Sequence, residues 1–126
     1  MINLNISIIK MKKIYVLNSC NTCQRIMEEI GVDDSWEVQN IKELNIDEST
    51  LESIKEQEGS YEAIFSKRAL KYKMHKIADK VTQDSDYKPL ILKEYTFLKR
   101  PVVQLDDTFY VGNSKKVVRA VIAALK

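Results

Sequence analysis

The chain has 126 residues, one domain's length, and its 44% apolar and 30% charged residues exclude a disordered protein. Twenty bases against eighteen acids leave a net charge of +2, which gives no electrostatic case for direct nucleic-acid binding. Three glycines and two prolines argue against a many-turned all-β protein, two cysteines and one histidine cannot build a Cys/His zinc site within one chain, and no apolar run approaches the roughly 20 residues that cross a bilayer.

In the first ten residues Ile2, Leu4, Ile6 and Ile8 alternate with Asn3, Asn5 and Ser7, a strand period. The segment fits either an added edge strand or an extension upstream of a fresh start at Met11-Lys12-Lys13. We read it as an extension, residues 1–10, before a domain at 11–126. It has neither a charged leader region nor a small-residue cleavage site, so the expected location is cytoplasmic. A close cysteine pair in that compartment is more often redox or metal chemistry than a structural staple.

Ile14-Tyr15-Val16-Leu17 is a short apolar run of strand formers. The polar turn Asn18-Ser19-Cys20-Asn21-Thr22 follows it. Ile26, Met27 and Ile30 then recur at helical spacing, with Gly31 placed as a C-cap. Trp36 and Val38 alternate with Glu37 and Gln39, predicting a second strand. The opening is therefore a βαβ unit with Cys20 and Cys23 at the N-terminus of its helix.

The middle, about 42–97, reads as a helical insert. Asp47 caps a helix over Leu51 and Ile54 that ends at Gly59. Ser66 is placed to cap another over Ala69, Leu70, Met74 and Ile77. Pro89 suits the first turn of a third, over Leu90, Ile91, Leu92 and Tyr95. Charge is segregated here: residues 41–62 hold seven acids and two bases, residues 66–80 six bases and one acid. Two solvated helix faces attracting each other is the plain reading; a basic surface that gathers anions near an active site is the sharper one. His75, on this Lys-rich stretch, reads as a solvated surface residue.

Pro101-Val102-Val103-Gln104-Leu105 predicts a strand, Asp106-Asp107 a turn, and Phe109-Tyr110-Val111 the returning strand. Gly112-Asn113-Ser114 breaks it and offers a cap to a helix striped by Val117, Val118, Val121, Ile122 and Leu125. The order β-α-β, helical insert, β-β-α predicts an α/β fold of the thioredoxin-like kind, with a mixed four-stranded sheet. The expected core is Ile14, Val16, Ile26, Ile30, Val38, Val102, Leu105, Val111, Val118 and Ile122.

The spacing Cys20-Asn21-Thr22-Cys23 carries the chemistry. A cysteine just before the first helical turn meets free backbone N–H groups and the positive end of the helix dipole, both of which favour a thiolate. Two intervening residues leave the second sulfur near enough to close a disulfide, so Cys20 reads as an exposed nucleophile and Cys23 as the resolving thiol. Half of a metal site shared between two chains, a Cys23 that is only a small buried hydrophobe, and a pair of inert cysteines are the competing readings.

The run from Lys13 to Cys23 resembles the start of the ArsC/Spx family of arsenate reductases and redox-sensing transcription regulators. Phe65-Ser66-Lys67-Arg68 resembles that family's Ser/Thr-x-Arg segment, and Leu98-Lys99-Arg100-Pro101-Val102-Val103 its Arg-Pro motif at the third strand. The resemblance spans about residues 12–125. It implies that Cys20 is the catalytic cysteine and that Arg100 lies beside it, lowering the thiol pKa and holding an oxyanion by a bidentate fork. It further implies that Pro101 is the cis-proline facing the cysteine loop and that Arg68 is a second oxyanion-binding arginine; on its own, Arg68 reads equally as a surface residue of the basic segment.

The same resemblance implies a small oxyanion or disulfide substrate, a thioredoxin or a glutaredoxin/glutathione system as reductant, no metal or organic cofactor, and no membrane. Departures are visible. The reductases carry histidine at the place of Val16, serine at Cys23, arginine at Gln24 and a third arginine at Gly112. The cysteine pair and Gly112 are closer to the Spx branch, whose partner is RNA polymerase. Those regulators continue with a polar tail after the last helix, whereas this sequence stops at Lys126.

Overall fold

The computed structural model describes residues 9–126. The strand-like alternation of Ile2 to Ile8 lies outside the described residues. The chain forms β1 (Lys12–Val16), α1 (Asn21–Ile30) and β2 (Glu37–Asn40). The helical segment follows, with α2 (Glu48–Glu58), α3 (Leu70–Met74), α4 (Ile77–Lys80) and α5 (Tyr87–Lys93), before β3 (Val102–Leu105), β4 (Thr108–Val111) and α6 (Lys115–Leu125).

The four strands make one mixed sheet in the order β2-β1-β3-β4. β1 runs parallel to β2 and antiparallel to β3, with Ile14 opposite Val38 on one side and Val103 on the other. β3 and β4 form the hairpin, turning at Asp106 and Asp107. A parallel pair needs a crossover, and α1 supplies it.

Successive strand residues face opposite sides of the sheet, and this divides the core in two. Ile14, Val16, Val103 and Leu105 pack against Cys23, Ile26 and Ile30 of α1 and Val118 and Val121 of α6. Tyr15, Val102 and Phe109 point the other way, into Leu51, Ile54, Ile64, Phe65, Ile91 and Leu98. Each fully buried aliphatic side chain contributes roughly 1.5–3 kcal/mol, so both faces hold the sheet.

The cap residues act as their chemistry dictates. Asp47 accepts a hydrogen bond from the Thr50 N–H at 2.7 Å, and Ser114 accepts one from Val117 N–H at 3.2 Å. Gly31 closes α1 in the left-handed region, where a Cβ would be strained.

Expectations for the core and for the helical segment are corrected. Val38 is 44% exposed, not core. β2 is the edge strand, and the layer of α1 and α6 draws its contacts from β1 and β3, with Trp36 filling the space beside β2. Val111 and Ile122 are partly buried and pack at the margins of the two clusters. The helix expected over Ala69 to Ile77 is broken into α3 and α4 by Lys76, whose φ is +49°. Ser66 caps neither piece. Its N–H donates to the Phe97 carbonyl at 2.6 Å, which draws it into a short antiparallel contact instead.

Candidate functional site

That contact assembles the site. Phe65 bridges Leu98, and the Lys99 N–H donates to the Ile64 carbonyl at 3.0 Å. Two stretches more than thirty residues apart in sequence are thereby clamped side by side, and the cations that follow each of them, Lys67 and Arg68 on one and Lys99 and Arg100 on the other, line one cleft of about 880 Å³. Cys20 lines the same cleft.

Cys20 is the N-cap of α1, in extended backbone conformation, its N–H donating to the Leu17 carbonyl at 2.9 Å. The thiol makes no capping hydrogen bond. Its pKa is nevertheless held below the ordinary value of 9.0. Partial burial is the largest influence and works in the opposite direction; the Cys23 amide, the Cys23 thiol, the Thr22 amide and the charge of Arg100 together outweigh it. All four favour sulfur only once it carries negative charge, which is the thiolate state.

Cys23 lies one turn further into the helix and is fully buried among Ile14, Val16, Ile26 and Val118. Burial pushes its thiol up to about 11, and the proximity of Cys20 adds to the rise. Both cysteines are free thiols. The two sulfurs thus differ in access and in proton affinity, and the difference follows from their places at the start of α1: its N-cap, Cys20, opens onto the cleft, and its third residue, Cys23, faces the sheet.

Arg100 is held from behind. Its Nη1 donates to the carbonyls of Thr96 at 3.2 Å and Leu98 at 3.1 Å, which fixes the guanidinium plane. Its Nε is buried and has no hydrogen-bond partner among the described residues. An N–H left unpaired inside a protein costs on the order of 1–3 kcal/mol, and an incoming anion can supply the missing acceptor. Pro101 follows, buried, with the Arg100–Pro101 peptide bond cis and the Pro101 carbonyl accepting from Gly112 N–H at 2.9 Å.

Arg68 is exposed at the cleft and has no carboxylate partner among the described residues. Lys67 pairs with Glu62, whose carboxylate is the one acidic group lining the cleft. Sequence reasoning passed over Lys99 and Lys67 as site residues, although both lie inside the quoted motifs. The signal available was the pairing of two basic dipeptides, Lys67-Arg68 and Lys99-Arg100. Gly112 closes the far wall with φ +97° and open space where a side chain would stand. His75 is exposed and lies outside the cleft.

The charge segregation resolves differently from the plain reading. Lys67–Glu62 is the ion pair that joins the basic stretch to the acidic one among the described residues; the acidic α2 instead pairs Glu48 and Glu52 with Lys88 of α5. The surplus of positive charge is left around the cleft and the α3–α4 surface.

The ArsC family model matches residues 15–121. Solved structures share the architecture. An ArsC family related protein from Bacteroides fragilis superposes with a TM-score of 0.74 at 18% identity, covering 90% of this chain and 98% of that one. An arsenate reductase from Vibrio cholerae gives 0.72 at 17% identity, covering 88% and 97%. A protein named YFFB gives 0.74 at 20%, covering 89% and 99%. At these identities the structural likeness is one of fold. No curated protein matches the sequence closely enough to count as a relative. No helix among the described residues is long and apolar enough to cross a membrane.

Proposed function

The chain belongs to the ArsC family, and from that premise we propose that it is a thiol–disulfide oxidoreductase in which Cys20 is the nucleophile and Cys23 the resolving thiol. The observation that carries this reading is the inequality of the two sulfurs: Cys20 opens onto a cationic cleft with its pKa lowered, while Cys23 is sealed beneath it at about 11.

In this scheme the Cys20 thiolate attacks an oxyanion or a disulfide. With arsenate, sulfur replaces one oxygen, which leaves as water. With a disulfide, one thiolate leaves. Arg100 balances the anionic charge through its Nε–H and its remaining amino group, and Arg68 adds a second guanidinium at the cleft. Cys23 then gives up its proton and attacks the Cys20 sulfur. The electron pair of the broken bond departs with the substrate, which is reduced by two electrons, and the pair is left as a disulfide. Pro101 shapes the wall beside Arg100. A thioredoxin or a glutaredoxin/glutathione system restores the dithiol, in the cytoplasm and without a metal or organic cofactor. The burial of Cys23 supports this order of events, because the sealed thiol is screened from outside attack until Cys20 is modified.

The test is a trapping experiment. Cys23→Ser should accumulate a covalent Cys20 adduct visible by mass, Cys20→Ser should form none, and arsenate-dependent NADPH oxidation with a coupled reductant should be lost in Cys20→Ser. Equal adduct formation at both cysteines would overturn the assignment. A second reading, a redox switch that binds RNA polymerase, is favoured by Gly112, which leaves the far wall of the cleft without a third guanidinium. A pull-down with polymerase α subunit, oxidised and reduced, decides it; no binding in either state removes it.

A further inference from the structure

Of the six bases of residues 66–80, Lys67 and Arg68 line the cleft and the other four lie outside it. α3 presents Leu70 and Met74 at 74% and 64% exposure, one helical turn apart and therefore on one face. Lys73 shares α3 with them, and with Lys67 and Lys76 it lines a second cavity of about 360 Å³, with Tyr72 in its wall and Asp79 as its one acid. Among the described residues Arg68, Lys73, Lys76 and Lys80 have no carboxylate partner. Lys67 borders both cavities, so this surface is continuous with the cleft that holds Cys20.

A small oxyanion has no use for this surface. It is satisfied by one or two guanidinium forks inside the cleft, and apolar side chains outside it add nothing to that binding. Two exposed apolar anchors with a charged rim have the anatomy of a protein interface, and unneutralised bases select a partner of opposite sign. We propose that the α3–α4 surface is the docking site for an acidic protein carrying a dithiol, which reduces the Cys20–Cys23 disulfide. The proposal rests on the reading of Cys20 given above and adds the partner and its place of contact.

The exchange balances. A partner thiolate attacks the accessible Cys20 sulfur; the Cys20–Cys23 bond breaks, and Cys23 leaves as a thiolate that takes a proton from water. The partner's second thiolate attacks its own sulfur in the mixed disulfide and releases Cys20. Two electrons pass to this chain, and the partner is left as a disulfide. Docking on α3–α4 holds the partner's thiol at the mouth of the cleft, which raises its effective concentration at Cys20.

The test uses the full chain, oxidised to the Cys20–Cys23 disulfide, and a reduced thioredoxin of net negative charge. Leu70→Ser/Met74→Ser and Lys73→Glu/Lys76→Glu alter exposed positions only. Each double variant should slow reduction by thioredoxin about tenfold or more and leave reduction by dithiothreitol unchanged, and added salt should slow the unaltered protein. Thioredoxin rates equal to those of the unaltered protein in both variants overturn the proposal. So does an equal slowing with glutathione, which would assign the surface to small anions. Should no Cys20–Cys23 disulfide form, the reading of the active site fails on its own. Docking is then judged from amide shifts on titration with the same thioredoxin: shifts at Leu70 and Met74 that vanish in the variants sustain the surface, and their absence overturns it.

Discussion

Cys20 and Cys23, three residues apart on one helix, are held in opposite electrostatic environments: Cys20 caps the helix at the edge of a cationic cleft, and Cys23 sits fully buried under the sheet face. The first is pulled toward the thiolate and the second is pushed toward the thiol, to about 11. The sulfur that is accessible is therefore also the one whose thiolate form is favoured.

Alkylation should report this directly. Iodoacetamide at pH 6 should modify Cys20 faster than a free thiol, since a lowered pKa leaves a larger thiolate fraction below the ordinary value of 9.0. Cys23 should remain unmodified in the folded protein. The rate at Cys20 should rise with pH and level off as its lowered pKa is passed. A profile at Cys20 that matches a free cysteine would remove the electrostatic argument.

Arg100→Gln should separate two roles. The charge of Arg100 is the last of the named influences on Cys20, so the alkylation rate near neutral pH should fall only about two- to threefold, well under the tenfold of a full unit. Affinity for an oxyanion should fall far more, about tenfold to a hundredfold, because a hydrogen bond from a charged group is worth roughly 1.5–3 kcal/mol. Arg100→Lys should restore part of the first and little of the second, since an ammonium supplies charge without a planar fork. Equal losses in both measurements would mean that Arg100 acts through fold alone.

Asp47→Ala should cost about 1 kcal/mol of stability, read as a fall in Tm of about 4 °C, because the Thr50 N–H loses its acceptor. Hydrogen bonding to the Thr50 amide holds the Asp47 carboxyl below 3.8 in the folded chain. A depressed folded pKa contributes stability that is complete above the unfolded value and is lost as pH falls through the folded one. Asp47→Asn keeps an acceptor and should lose that part of the acid dependence while retaining most of the stability at neutral pH.

Gly112→Ala should destabilise the chain by about 1–2 kcal/mol. The added Cβ meets no neighbour within 4 Å among the described residues, so the cost is that of φ +97°. Denaturant melts check it: a shift in midpoint with no change in slope is expected. Gly112→Arg should carry a similar cost in stability and bind oxyanion more tightly, because it adds a third guanidinium to the wall of the cleft.

Where one side chain or one local period decides, the sequence was sufficient. The apolar run Ile14-Tyr15-Val16-Leu17 marked a strand, Asp47, Ser114 and Gly31 marked helix ends, and Cys20-x-x-Cys23 was read at a strand-to-helix junction, where it lies. These are near-neighbour effects, and the amino-acid chain contains everything they need.

Three features were set by packing at a distance. Val38 has the pattern of a core residue, yet its strand is the edge and the helical layer covers its neighbours. Ser66 has the chemistry of a cap, yet its amide is taken by Phe97, and Lys76 then breaks the helix that periodicity predicted. The bridge between Phe65 and Leu98 brings Lys67, Arg68, Lys99 and Arg100 to one cleft with Cys20. Local sequence fixed which groups could ionise and which segments could coil. Which of them meet depended on backbone hydrogen bonds between segments far apart in the chain, and no short-range pattern encodes a partner thirty residues away.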